Sequence, residues 1–499
     1  MNAILDFMRR IFRILGGFVL VLALAAIAMS FAGYRLAVDG SGKMPRFVTR
    51  SSIDALEADR ARQRQLAPPP EPVAPAAAVP PQVLVEAAAQ TPGASTPPPS
   101  QSEPGAVAPA ATRAAWPDFR GPNRDGRYVA GTIRTTWPRE GLATLWKQPV
   151  GGGYASFVVA DGRAFTIEQR RDREVAAAYD VQSGRELWTN AWPANFQESM
   201  GGDGPRATPT YDEGRLYALG AEGELRALDA AKGTLIWRHD ILSENGASNI
   251  AWGMSASPLV VDDKLIVLPG GSRGSSIVAY DKATGKVIWK AQNDEPGYTS
   301  PMLVTLGGVR QILVVTASRA MGVTVEDGRL LWEYPWSTFN GINVSQPVLF
   351  THNGADRVFL SASYGRGAAV FELTRSGDTF QAKTVWENQR MKNRFSSSVL
   401  HNGFIYGLDE SILACLDANT GEQKWKGGRY GYGQILLAGD HIVVLTEDGQ
   451  VVLVKATPDR HEEVASFEAL TGKTWNHPVI AAGRLLVRNS EEMAAYAIQ

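Results

Sequence analysis

The chain of 499 residues has almost no cysteine and no excess of charge of either sign. Lysine and arginine together number 50 and aspartate and glutamate 51, so no positive surplus favours nucleic acid as a partner. The single cysteine, Cys415, excludes an intramolecular disulfide and any metal site built from several cysteines. The six histidines show no metal-ligand spacing. We therefore expect neither a nucleic-acid partner nor a metal site.

Tryptophan is absent from the first 115 residues, whereas all 13 tryptophans lie between Trp116 and Trp475. Burying large aromatic side chains is therefore confined to the second part of the chain. This contrast divides the chain into a front without a core and a domain at residues 116–499.

Residues 14–34 form an uncharged and mostly apolar run behind a short basic tail, residues 1–13. As a helix rising about 1.5 Å per residue, the run just crosses a hydrocarbon core of about 30 Å. We interpret it as an uncleaved transmembrane signal anchor; small residues at Ser30 and Ala32 leave a cleavable signal peptide as the alternative. Basic residues flank both sides, so orientation is ambiguous by charge, and we favour an N-terminus inside.

Residues 35–115 are interpreted as a linker that is first charged and then rich in proline and alanine. Residues 51–66 fit either a short helix with a serine cap or a solvated charged spacer. Residues 66–115 contain 13 prolines and 15 alanines, a composition that predicts disorder. A polyproline-like chain of that length reaches at most about 150 Å, enough to hold a domain away from a membrane.

Four segments of the second part repeat one β-hairpin that ends in tryptophan. They read AYDVQSGRELW (178–188), ALDAAKGTLIW (227–237), AYDKATGKVIW (279–289) and CLDANTGEQKW (415–425). An aspartate that hydrogen-bonds the turn backbone stands eight residues before each tryptophan, and a glycine that accepts positive φ stands four before it. The position ten before the tryptophan is small, and Cys415 occupies it in the last copy, which indicates a packing role.

Weaker copies extend the repeat along the whole domain. Its terminal aromatic residues are about 46 residues apart on average, the length of a four-stranded propeller blade, and stand at Trp146, Trp188, Trp237, Trp289, Trp332, Trp386, Trp425 and Phe467. The chain stops before the last blade's outer strand, and TLWKQPV (144–150) has that strand's form. The sequence thus predicts an all-β, eight-bladed β-propeller closed by an N-terminal strand, which leaves no open sheet edge between its ends.

This hairpin resembles the repeat of pyrroloquinoline-quinone-like (quinoprotein-type) β-propellers, and the resemblance covers residues 116–499. The lead-in WPDFRGPNRDG (116–126) also looks like that of many bacterial members of the class. The family includes quinoprotein alcohol dehydrogenases and non-catalytic propellers such as the lipoprotein that assists outer-membrane β-barrel assembly. The chain lacks the adjacent cysteines and haem-binding CxxCH of the former and a lipidated cysteine near Ala32 of the latter, so anchoring would fall to the helix.

Residues just before each blade's first strand should converge on the central channel. We expect a funnel suited to a planar, anionic or peptide-like ligand, formed by Arg206, Trp252, Tyr298, Asn343, Gln346, Arg394, Tyr432, Trp475 and His477. The alternative is that small and polar residues are needed there only because the blades converge. No catalytic constellation can be assembled from the sequence.

These features predict a single-pass inner-membrane protein whose propeller lies in the periplasm or outside. Its expected function is a binding scaffold for an envelope protein or complex, with envelope assembly as one such role. The alternative is a quinone-dependent alcohol dehydrogenase that would hold pyrroloquinoline quinone and calcium in the funnel; fold alone does not choose between them.

Overall fold

The computed structural model describes residues 17, 21, 24, 25, 27–29, 34–37, 46–66, 115–271 and 273–499. Most of the predicted membrane span, residues 14–34, and the proline-rich stretch after residue 66 lie outside the described residues. Of the helices in the described ranges, none combines the length and apolar character needed to cross a membrane.

The first described elements are a short antiparallel hairpin and one helix. The hairpin pairs β1 (Tyr34–Ala37) with β2 (Arg46–Thr49), and helix α1 (Arg50–Gln65) follows directly. Of the two alternatives for residues 51–66, the structure has the helix. Its side chains contact the propeller, as described below.

Eight antiparallel sheets surround a central axis and form the propeller. Two N-terminal strands, β3 (Arg127–Tyr128) and β4 (Thr144–Pro149), join blades that lie late in the chain. Blade 1 comprises β5 (Val158–Ala160), β6 (Arg163–Arg170), β7 (Arg173–Asp180) and β8 (Glu186–Pro193), and blade 2 comprises β9 (Thr210–Asp212), β10 (Arg215–Leu219), β11 (Glu224–Asp229) and β12 (Leu235–Asp240). Blade 3 comprises β13 (Leu259–Val261), β14 (Lys264–Val267), β15 (Ile277–Asp281) and β16 (Val287–Ala291). Blade 4 comprises β17 (Met302–Leu306), β18 (Val309–Val315), β19 (Arg319–Thr324) and β20 (Leu330–Pro335).

Blades 5 to 8 continue the same order from the axis outward. Blade 5 comprises β21 (Val348–His352), β22 (Ala355–Ala362), β23 (Gly367–Ser376) and β24 (Thr379–Asn388), and blade 6 comprises β25 (Val399–His401), β26 (Phe404–Asp409), β27 (Ile412–Asp417) and β28 (Gln423–Arg429). Blade 7 comprises β29 (Gln434–Ala438), β30 (His441–Leu445), β31 (Gln450–Lys455) and β32 (Glu463–Glu468). Blade 8 comprises β33 (Val479–Ala481), β34 (Arg484–Arg488) and β35 (Glu492–Ala497) together with β4. The predicted fold of four-stranded blades is confirmed.

The closing strand is the one that the sequence predicts. Strand β4 pairs antiparallel with β35, with Trp146 opposite Ala495. The N-terminal part of the domain therefore supplies the outer strand of blade 8, and ladder hydrogen bonds tie the two ends of the ring together.

The repeat residues join neighbouring blades as their spacing predicts. Asp229 accepts hydrogen bonds from the backbone of Ala231 and Lys232, and Gly233 has a φ of 71°. The ring of Trp188 from the preceding blade packs on Gly233, so that a β-carbon there would lie 2.4 Å from it. The Trp188 indole donates to the carbonyl of Ala230 at 3.0 Å. Turn, glycine and tryptophan thus form one inter-blade lock.

The same indole-to-carbonyl bond recurs at other junctions, from Trp146, Trp237, Trp289, Trp386 and Trp425. Trp332 differs because blade 5 has a longer hairpin, and its indole bonds Gln311 of its own blade at 2.5 Å. Cys415 is fully buried between blades 6 and 7, which confirms its packing role.

A closed circle of hydrogen bonds links every blade to the next around the axis. Each bond joins residues at or just before the innermost strands, and each contributes on the order of 1 kcal/mol. The pairs are Ser156 N to Thr208 Oγ1 (2.9 Å), Thr208 N to Ser257 Oγ (3.1 Å), Ser257 N to Ser300 Oγ (2.9 Å), Ser300 N to Gln346 Oε1 (2.8 Å), Gln346 N to Ser397 Oγ (3.0 Å), Gln434 Nε2 to Phe395 O (3.0 Å), His477 Nε2 to Ile435 O (3.1 Å) and Ser156 Oγ to His477 O (2.5 Å).

The lead-in segment, residues 116–128, fills the axis below this circle and acts as a plug. Arg124 is buried, forms an ion pair with Asp118 at 2.7 Å, and donates to the carbonyls of Ser257, Pro258 and Pro301. Arg120 donates to the carbonyl of Ser398 at 2.9 Å. The plug therefore contacts blades on several sides of the ring, and the channel is closed at this level.

Candidate functional site

A cavity of about 690 Å³ lies on the axis above the plug. Phe119 of the plug is among its lining residues, and all eight blades contribute to its walls. The cavity is lined by Phe119, Tyr154, Met200, Gly201, Arg206, Trp252, Ser255, Tyr298, Ser300, Asn340, Ile342, Val344, Tyr364, Arg394, Phe395, Ser397, Tyr432, Gln434, Glu447, Trp475 and His477. Its size is in the range typical of small-molecule sites.

Aromatic rings form two groups in the wall of the cavity. Trp475 lies 5.4 Å from Tyr154 and 4.5 Å from Phe395, measured between ring centroids. Across the ring of blades, Trp252 and Tyr298 lie 5.8 Å apart. The faces of these rings offer stacking surfaces for a flat or apolar ligand.

Arg206 places a guanidinium between these aromatic groups. It lies 4.5 Å above the ring of Phe196 and donates to the carbonyls of Gly202 and Gly204. Burial lowers its pKa, while the carboxylates of Glu198 and Asp203 oppose that shift at longer range. Among the described residues, none forms an ion pair with Arg206. Its described hydrogen bonds go to backbone carbonyls.

Arg394 is the second guanidinium of the cavity. It donates to the hydroxyl of Tyr432 at 2.6 Å and lies 4.8 Å from the centroid of that ring. No carboxylate in the described part of the chain pairs with it. The lining carboxylate, Glu447, is already engaged, because it accepts hydrogen bonds from the Trp475 indole at 2.9 Å and from the Tyr432 backbone.

Seven of the nine residues predicted from the sequence line this cavity, and two do not. Asn343 is buried and donates to the carbonyls of Thr316, Ala317 and Trp336, whereas Gln346 bridges Ser300 within the circle of inter-blade bonds. Both amides hold backbone in place. At these two positions the described contacts are those of inter-blade and backbone bonding.

His477 lines the floor but also serves the circle of hydrogen bonds. Burial lowers its pKa well below the usual range, so the imidazole is neutral, and Nε2 donates to the carbonyl of Ile435. Its ring packs edge-on against Phe119 at 6.1 Å. We assign it a structural role at the floor of the cavity.

Several lining residues were not predicted from the sequence. Tyr154 and Phe395 lie just before the first strands of blades 1 and 6, where the funnel was expected. Neither is among the nine residues predicted, although Phe395 directly follows Arg394. Tyr364 and Glu447 come from the turns between the second and third strands of blades 5 and 7. The prediction considered only residues before the first strand of each blade, and those turns reach the same face.

The family model described as "Outer membrane protein assembly factor BamB" matches residues 131–240 and 171–427. The chain belongs to this family. One curated relative of that name, from Burkholderia pseudomallei (strain K96243), is 22% identical over 374 residues, which cover 66% of this chain and 92% of the relative.

Solved structures agree with the fold. BamB from Moraxella catarrhalis superposes with a TM-score of 0.50 at 16% identity, covering 71% of this chain and 99% of that one. Quinohemoprotein alcohol dehydrogenase from Comamonas testosteroni superposes with a TM-score of 0.57 at 15% identity, covering 77% and 80%. At these identities the likeness shows the fold alone.

The cavity does not fit the quinone and calcium of the dehydrogenase alternative. Calcium takes six to eight oxygen ligands, with carboxylates prominent among them. Glu447 is the one carboxylate among the lining residues, and both of its described contacts are donors of the protein. The chain also carries no second cysteine beside Cys415.

Proposed function

We propose that this chain is a scaffold for the assembly of outer membrane proteins, with its propeller on the periplasmic side of a membrane. Membership of the assembly-factor family carries this proposal. The ring supports it, since eight blades locked around the axis and plugged at the centre form a rigid body. The further proposal that residues 14–34 anchor the chain in the inner membrane rests on their hydropathy.

The face that bears the cavity carries two exposed apolar side chains suited to a protein contact. Met200 is 64% exposed and lines the cavity, and Phe339 is 76% exposed and directly precedes Asn340, another lining residue. The outer strands of blades 2 and 3 expose Leu235 and Val287, which offer a second apolar surface. Either surface could hold a partner, because isolated apolar contacts at a rim become anchors when a partner covers them.

Native purification of the full chain from its own host in detergent tests the scaffold role. We expect outer-membrane assembly proteins to be recovered in near-stoichiometric amounts. The Met200→Glu, Phe339→Glu double variant and the Leu235→Glu, Val287→Glu double variant form a matched pair that identifies the contact surface. Recovery of no assembly protein with the unaltered chain would contradict the proposal.

A second function is favoured by one observation, the two guanidiniums without carboxylate partners. We propose that the cavity binds a small ligand with a flat apolar body and an anionic group. Partly buried guanidiniums gain from pairing with a carboxylate, and the rings of Trp252, Tyr298 and Trp475 can stack on the ligand body. A ligand of this kind would regulate or complete the scaffold rather than undergo a reaction.

Calorimetric titration with 2-naphthoate tests this second function, with neutral 2-naphthamide as the matched probe. We expect Arg206→Gln and Arg394→Gln each to weaken naphthoate binding about tenfold, the effect of one charge-assisted contact. Arg460→Gln, at an exposed site far from the cavity, is the control. Equal binding of both probes would contradict the proposal. Pyrroloquinoline quinone with calcium and a dye acceptor forms a further arm, in which alcohol oxidation would favour a dehydrogenase.

A further inference from the structure

Helix α1 lies across the junction between the outer strands of blade 8 and blade 1. Arg60 donates to the carbonyl of Pro149 at 3.1 Å, at the end of the closing strand β4 of blade 8. Arg64, one helical turn later, forms an ion pair with Glu186, the first residue of the outer strand of blade 1. A single helix therefore contacts the outer strands of two neighbouring blades.

The surface under α1 is a buried cluster of charges. Glu168 and Glu186 are 0% and 1% exposed, and both form ion pairs with Arg170. Burial alone would raise the pKa of Glu168, yet the guanidiniums of Arg170, Arg60 and Arg488 hold it at about 2. Removing α1 would take two of the guanidiniums from this cluster, at a cost typical of uncompensated buried charge.

The two ends of the helix are also fastened to blade 1. Asp54 forms an ion pair with Arg171, and the carbonyl of Leu66 accepts a hydrogen bond from Arg185 at 2.6 Å. Arg62 on the opposite face is 67% exposed, and within the described part of the chain its ion pair is with Asp59 of the helix itself. Charged side chains on one face, rather than an apolar stripe, therefore dock this helix.

We propose that blade 1 carries a receptor site for a helix with two arginines one turn apart, and that α1 occupies it as a latch between blade 1 and blade 8. The chain before Arg50 is then attached to the side of the propeller. Leu66 and Trp116 both lie on the propeller, so residues 67–114 connect two points of one body instead of separating that body from a membrane.

This architecture does not fit the role that composition predicts for the proline-rich stretch, which is a spacer that holds the propeller away from a membrane. If residues 14–34 span a membrane, only residues 35–49 separate the span from the docked helix. Fifteen residues reach at most about 50 Å even when fully extended. The propeller would then be held close to the membrane surface, and the reach of about 150 Å expected from a polyproline spacer would not be used. The latch does not depend on the scaffold role.

Chemical crosslinking followed by cleavage tests the latch in the full chain. A site-specific protease site is placed in residues 67–114, and a short bismaleimide is applied to the Asp54→Cys, Arg171→Cys double variant. Cys415 is fully buried and provides little background. We expect most of the propeller to remain covalently joined to the N-terminal fragment after cleavage. The Asp59→Cys, Arg171→Cys double variant should give less than a tenth of that yield, because Asp59 is half-exposed and bonds Arg62 and Gln63 of the helix itself.

Substitutions on the helix then identify the residues responsible. Arg60→Gln with Arg64→Gln should reduce the crosslinked fraction several-fold, whereas Arg62→Gln should leave it unchanged. Equal yields from the two cysteine pairs would overturn the proposal, and so would full crosslinking in the Arg60→Gln, Arg64→Gln background. Because the comparison of cysteine pairs uses the native arginines of the helix, it decides the question even if the double glutamine variant fails to fold.

Discussion

The guanidinium of Arg124 donates a hydrogen bond of 2.7 Å to the carbonyl oxygen of Pro301, joining the plug to the fourth blade across the propeller axis. The same side chain also pairs with Asp118 and contacts blade 3 through Ser257 and Pro258. One arginine from the start of the domain thus ties together segments far apart in sequence. The cavity floor depends on this arrangement, because Phe119 belongs to the same plug.

Replacing Arg124 should therefore destabilise the whole ring. We expect Arg124→Ala to lower the free energy of unfolding by about 3–5 kcal/mol, since it leaves buried Asp118 without its partner. Urea unfolding followed by tryptophan fluorescence measures this. Arg127→Ala, at an exposed position of the same segment, is the control and should change stability by less than about 0.5 kcal/mol. Equal stability of the two variants would refute the role of Arg124.

The inter-blade lock predicts different costs for two glycines of blade 2. Gly233 and Gly214 have φ values of 71° and 80°, but only Gly233 packs against a tryptophan ring. Gly214→Ala should cost about 1 kcal/mol from backbone strain, whereas Gly233→Ala should cost about 1–3 kcal/mol more because its β-carbon meets Trp188. Thermal unfolding of both variants compares them. Equal losses would mean that the packing of Trp188 on Gly233 adds nothing.

Glu174 should make stability depend on pH near neutrality. It is fully buried, and burial raises its pKa to about 7 although Ala221 N and Trp192 Nε1 donate to it. A raised carboxyl pKa favours the folded state below the unfolded pKa, and this benefit is lost as pH rises through 7. At about 1.4 kcal/mol per pH unit, the loss reaches about 3 kcal/mol between pH 5 and 8.

Unfolding at pH 5 and pH 8 checks this dependence in Glu174→Gln. The variant should be less stable at pH 5, because an amide cannot accept both hydrogen bonds, but its stability should vary less with pH than that of the unaltered chain. Glu326→Gln, at an exposed position, provides the control. An unchanged pH dependence in Glu174→Gln would exclude Glu174 as its source.

The repeat made the fold predictable, because each blade encodes its own turn, small residue and docking tryptophan within about 46 residues. The plug was not predictable in the same way. From their neighbours in sequence, Arg120 and Arg124 resemble ordinary surface charges. Their partners Ser398 and Pro301 lie 278 and 177 residues away in the chain. Buried charges that are paired across such separations leave no periodic signal in the sequence.

The candidate site was predictable in place but not in role. Segments before the first strands do converge on the cavity, yet Asn343 and Gln346 use their amides for backbone contacts. Polar residues near an axis serve inter-blade bonding as readily as ligand binding, and composition does not distinguish the two. For helix α1 the composition misleads in the other direction. Its charged sequence fits a solvated spacer, but its arginines interact with buried carboxylates on blade 1.

Depletion of this chain in its own host tests the scaffold role most directly. The amounts of folded outer membrane proteins are measured by quantitative mass spectrometry of the outer membrane, with and without complementation by the unaltered chain. We predict a several-fold fall in these amounts, which the unaltered chain restores. Unchanged outer membrane proteins together with loss of a quinone-dependent alcohol oxidation would contradict it and identify the cavity as an active site.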